Sequence, residues 1–149
     1  MEPASIRVAE VMRTEFASLR IGDRLDLVDQ VMALGRVRHL PVLDAAGRVI
    51  GIVSNRDLLE ASLTSVLAVE PEQRRSFLHS VAVDEVMTRH VETIGPDAPL
   101  GAAAIRLVGH KIGCLPVVDG DGVMVGILTE TDLLAAAYAP PGSPPRPSG

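Results

Sequence analysis

Aromatic side chains are nearly missing from this chain, at 2 % of its 149 residues and with no tryptophan. Its core must therefore be aliphatic, and so few aromatics argue against a surface that stacks nucleic-acid bases. Positive charge is also short: 14 Lys and Arg against 19 Asp and Glu leave a net charge of −5 with no basic cluster, which argues against nucleic-acid binding. The single cysteine, Cys114, cannot form an internal disulfide and is far from a zinc-ligand set, so a reducing, cytoplasmic setting is expected. No apolar run approaches the roughly 18 to 20 residues of a spanning helix. The N-terminal MEPASIRVAEVMR lacks the basic-then-apolar order of a secretory signal, and a soluble protein without membrane contact is expected.

What the chain does have is the same sentence twice. Shifted by 75 positions (Pro116 minus Pro41), VAEVM at 8–12 falls on VDEVM at 83–87, HLPV at 39–42 on CLPV at 114–117, and GIVSNRDLL at 51–59 on GILTETDLL at 126–134. One offset through three blocks marks two copies of one structural unit. Hydrophobic residues at 47 % and charged residues at 22 % are a globular balance.

Each copy reads in the same order. EFASL and HVETI have the pattern of a short strand; DRLDLVDQVMALG and DAPLGAAAIRLVG have helical apolar spacing, an acidic start and a glycine at the end. VRHLPVLD and IGCLPVVD lead through the turns DAAG and DGDG into RVIGIVS and VMVGILT, a β-hairpin with Gly47 and Gly122 available for positive φ. SNRDLLEASLTSVL and TETDLLAAAYA then restart a helix, and VAEVM and VDEVM predict a short helix in front of each copy. Between the copies, Pro71 followed by EQRR predicts a helix start, whereas the tail APPGSPPRPSG predicts disorder. The expected organisation is repeat 1 over 1–62, a helical connection over 63–82, repeat 2 over 83–138 and a disordered tail over 139–149. A three-stranded sheet of this size leaves an apolar face in need of a partner, so the fold class is α/β (α+β), with the two sheets packed about a pseudo-twofold axis and two related clefts between the copies.

The set formed by VAEVM and VDEVM, RHLPVLDAAGRVIGIVSNRDLL and GCLPVVDGDGVMVGILTETDLL resembles a tandem pair of cystathionine β-synthase (CBS) domains, also called a Bateman module. The resemblance implies paired β-α-β-β-α units whose clefts bind adenosine-containing ligands such as AMP, ADP, ATP, NAD or S-adenosylmethionine. It also implies a regulatory role, a homodimer formed through helices, and a regulated partner protein. No obligatory cofactor is expected beyond an adenine nucleotide, AMP, ADP or ATP, as regulatory ligand.

The residues that would carry this lie in the S/T-x-x-D pattern, Ser54 to Asp57 and Thr129 to Asp132. The resemblance implies a carboxylate that accepts from ribose hydroxyls; the same pattern before Leu-Leu is also a capping box that only closes a helix start. By the family pattern the first cleft takes Ser54, Arg56, Asp57, Arg38 and His39 with the backbone at Ile112 and Gly113. The second takes Thr129 and Asp132 with the backbone near Val37 and Arg38, and has no matching cation except Lys111. His39 and Cys114 are equivalent but make no metal site, and His79, His90 and His110 have neither metal-ligand spacing nor catalytic partners, so no enzyme and no metal are expected. The alternative function is a structural oligomerisation or adaptor module without ligand.

Overall fold

The 75-residue period of the sequence reappears in the backbone hydrogen bonds. The computed structural model describes residues 6–63 and 70–138, so the tail expected over 139–149 lies outside the described residues. The first copy contains strand β1 (Leu19–Arg20), helix α1 (Leu25–Gly35), strands β2 (His39–Leu43) and β3 (Val49–Ser54), and helix α2 (Asn55–Leu63). Helix α3 (Pro71–His79) lies between the copies, with Pro71 in its first turn as predicted. The second copy contains helix α4 (Leu100–Ala104), strands β4 (Cys114–Val118) and β5 (Met124–Thr129), and helix α5 (Glu130–Tyr138).

The hairpins follow from turn chemistry. The Asp44 carboxylate accepts from the backbone N–H of Ala46 and of Arg48, and that of Asp119 from Asp121 and Val123. Gly47 and Gly122 take φ of 85° and 83°, a conformation that glycine adopts without a Cβ clash. His39 then pairs with Ser54 and Leu40 with Val53 in one hairpin, and Cys114 with Thr129 and Leu115 with Leu128 in the other.

Three predicted elements differ. Of EFASL only Leu19 enters a strand, the two-residue β1, parallel to β2. HVETI yields a single parallel bridge from Ile94 to Val117. Pro96 has no N–H to extend that ladder, and the carbonyls of Pro96 and Ala98 accept from Ala9 and Val8 instead. The helix expected over 97–109 is α4 continued by a π-helical segment, Ile105–Gly109. The residues that leave the two long helices with positive φ are Arg36 (52°) and Lys111 (53°), just beyond the expected glycines.

The segments VAEVM and VDEVM each form a single 3-10 turn, Val8–Glu10 and Val83–Glu85, and each is held by backbone bonds in the compact unit that carries the hairpin of the other copy. One compact unit comprises Ala17–Val91, the other Met1–Phe16 with Glu92–Gly149. In the first, Leu25 N–H donates to Val81 O, Val83 N–H to Asp23 O, and Ile52 and Thr88 exchange two backbone bonds. In the second, Leu100 N–H donates to Ile6 O, Val8 N–H to Ala98 O, and Ile127 and Arg13 exchange two. Each unit has its own aliphatic core: Leu19, Leu25, Val28, Leu40, Val53 and Leu78 in one, Val8, Leu107, Leu115, Val117 and Leu128 in the other.

Candidate functional site

In the unit Ala17–Val91, β3 runs directly into α2, and the strand-to-helix junction carries Ser54 and Asp57. Asp57 N–H donates to Ser54 Oγ at 3.1 Å and Ser54 N–H donates to Asp57 Oδ2 at 2.8 Å, so the capping box is formed in full. That bond engages one carboxylate oxygen. Asp57 Oδ1 accepts no hydrogen bond from the described residues and enters no ion pair there, and the carboxylate is only half-buried. Capping and ligand binding are therefore not alternatives at Asp57, because each can use its own oxygen.

Basic residues stand next to this turn. His39 pairs across the hairpin with Ser54, and the carbonyl of Arg38 accepts from Asn55 N–H at 2.7 Å. The Arg38 side chain is exposed. Partial burial holds the His39 imidazole below its ordinary pKa of 6.5, opposed by the Asp57 charge and reinforced by Arg38. A ring that prefers to be neutral in the fold binds its proton first in the unfolded chain as pH falls. Its contribution to stability is thus whole above pH 6.5 and declines as pH drops through 6.5 towards the folded value. Urea titrations between pH 7.5 and 5.5 are expected to show this decline, at most about 1.4 kcal/mol per pH unit, and His39→Gln is expected to flatten it; an unchanged slope in the variant would refute the assignment.

Arg56 is placed differently from its expected role, exposed on α2 with Nε 3.4 Å from Glu60 one turn on. Val37 and Ile112 occupy equivalent positions ahead of β2 and β4, each packed against the core of its own unit, and Gly113 is exposed. Cys114 is buried, and that burial pushes its thiol up to about 12, leaving it protonated and inert. Among the described residues no group of three or more His, Cys, Asp or Glu is placed to hold a metal ion. No helix among them is long and apolar enough to cross a membrane.

The turn at Thr129 repeats the capping box with one addition. Thr129 N–H donates to Asp132 Oδ2 at 2.8 Å and Thr129 Oγ1 lies 3.0 Å from the same oxygen. Oδ1 faces Arg13, whose Nε is 3.3 Å away. The contact is an ion pair without hydrogen-bond alignment, and the buried Nε–H finds no acceptor elsewhere among the described residues. Asp132 is 6 % exposed. The expectation that this turn has no cation except Lys111 is therefore corrected: Arg13, from the leading segment, occupies it.

The CBS domain family profile matches residues 8–64 and again 83–139. The chain belongs to the CBS domain family. Solved structures similar to this CBS pair include a protein assigned to acetoin utilization (AcuB) from Vibrio cholerae, 36 % identical over 89 % of this chain and 90 % of that one, with a TM-score of 0.75. Another is CBSX2 in complex with AMP, 28 % identical over 88 % and 95 % of the two chains, TM-score 0.74. A homoserine O-acetyltransferase of Methanococcoides burtonii is 34 % identical over 126 residues, 85 % of this chain. The CBS pair spans about a quarter of the length of the homoserine O-acetyltransferases it matches.

Within the CBS pair, Arg13 is the residue that sequence reasoning missed. The signal was present in the 75-residue shift, which places Arg13 opposite Thr88 (88 minus 13) one position after the matched VM of each copy.

Proposed function

We propose that this CBS pair is a regulatory module that binds an adenine nucleotide, AMP, ADP or ATP, at the Ser54–Asp57 turn and transmits its occupancy to a partner protein. The observation that carries the reading is the Oδ1 of Asp57, open among the described residues and suited to a ribose hydroxyl, beside the cationic side chain of Arg38 and the imidazole of His39, suited to phosphate. The AMP complex of the similar CBSX2 supports the ligand class. Arg56 joins the phosphate contacts by leaving Glu60, a surface pair worth at most about 1 kcal/mol. Apolar side chains exposed on helices, among them Leu34, Leu59 and Leu134, support a homodimer. The second reading is an adaptor without ligand, in which the capping boxes only close the two helix starts.

Calorimetric titration with AMP, ADP and ATP separates the two, with light scattering on the same samples reading the homodimer. Asp57→Asn keeps an acceptor for Ser54 N–H while removing the charge, so the helix start survives. Losing a charge-assisted bond of about 1.5 to 3 kcal/mol is expected to weaken nucleotide binding by roughly ten- to a hundredfold. Absence of binding by any of the three at millimolar concentration would leave the adaptor reading.

A further inference from the structure

The two copies present the same capping box on the same hairpin, yet their aspartates face different neighbours. The difference comes from one position. Arg13 and Thr88 are each held to the outer strand of a hairpin by a matched pair of backbone bonds, Arg13 with Ile127 and Thr88 with Ile52, so their side chains leave the backbone at equivalent places. At one the side chain is a guanidinium 3.3 Å from Asp132 Oδ1; at the other it is a hydroxyl, and Asp57 Oδ1 is left open. The neighbouring Arg89 does not substitute, because its guanidinium donates to the Asp84 carbonyl.

We propose that Arg13 closes the Thr129–Asp132 turn to nucleotide, leaving one working site in each chain. Oδ2 of Asp132 is held by the capping box, Oδ1 is covered by the Arg13 guanidinium, and the aspartate is buried, so neither oxygen is presented to a ribose hydroxyl. A ligand would have to displace a guanidinium that is only a quarter exposed and leave it without a counter-charge. The leading segment is thus an internal occupant of one site, and the Arg/Thr difference sets the stoichiometry. This rests on the proposed nucleotide reading.

The test is calorimetric titration with AMP of the wild-type chain, Arg13→Thr and Thr88→Arg, each checked for fold by circular dichroism. The expected results are one AMP per wild-type chain, two in Arg13→Thr with the second lost again on adding Asp132→Asn, and at least a tenfold loss of affinity in Thr88→Arg, where a guanidinium is brought to Asp57. The converse graft keeps the proposal testable if Arg13→Thr fails to fold. Two AMP per wild-type chain, one in a folded Arg13→Thr, or undiminished binding in a folded Thr88→Arg would overturn the closure while leaving nucleotide binding intact. No binding of AMP, or of ADP or ATP titrated in the same way, by any variant would sink both together.

Discussion

Asp132→Ala is expected to destabilise the chain by about 3 kcal/mol, against about 1 kcal/mol for Asp57→Ala. Both substitutions remove a capping-box carboxylate, worth about 1 kcal/mol. Only the first also strands a cation. Arg13 is three-quarters covered, and its Nε–H has no other acceptor, so Asp132 is its sole counter-charge among the described residues. Removing one partner of a fully buried pair costs about 3 to 5 kcal/mol, and the partial exposure of Arg13 reduces this to about 2. For a chain of this length 3 kcal/mol corresponds to a fall in Tm on the order of 10 °C. Thermal melts by circular dichroism check the contrast, and Arg13→Met combined with Asp132→Ala is expected to recover the ion-pair share because the charge leaves with its partner. Equal costs at the two aspartates would show that the pair contributes nothing to the fold.

The second large effect is expected at Gly51, in the middle of β3. Valine is ordinarily favoured in a strand, and Gly51 has no positive φ to protect. The restriction is space. A Cβ there would lie 2.9 Å from Met87 Cγ and 3.1 Å from Thr88 O, and at Gly126 the same distances recur to Met12 Cγ and Arg13 O. The methionine can move, but the carbonyl belongs to the residue clamped onto Ile52. Overpacking of this kind costs about 1 to 3 kcal/mol, so Gly51→Ala is expected near 2 and Gly51→Val at 3 or more. Urea unfolding measures the loss, and faster hydrogen exchange at the Ile52 and Thr88 amides would locate it at the clamp. Unchanged stability in Gly51→Val would refute the close approach.

How much of this was legible in the sequence divides by range. The hairpins were, because Asp44 with Gly47 and Asp119 with Gly122 decide them within a few residues. The start of α3 at Pro71 was, for the same reason. The S/T-x-x-D turns were located, with both of their readings, and the structure shows the capping half formed at each. Pairing over long distances was not. Pro96 shortens the second copy's first strand by directing its carbonyl to Ala9, 87 residues earlier (96 minus 9). Arg13 meets Asp132 across 119 residues (132 minus 13), a contact that no local pattern encodes. The homologous shift could have flagged it only by comparing what differs between the copies rather than what they share.

The exchange of leading segments also dictates an order of assembly. A ribosome releases residues 17–91 as one continuous stretch, and they contain every described strand and helix of their compact unit. The partner unit cannot close until Ile127 has emerged, 114 residues after the Arg13 it must clamp (127 minus 13). At about 5 to 20 residues per second the N-terminal segment stays unmatched for on the order of ten seconds, longer than many small domains take to fold. Residues 17–91 are therefore complete first, and the segment around Arg13 is joined to its partners last.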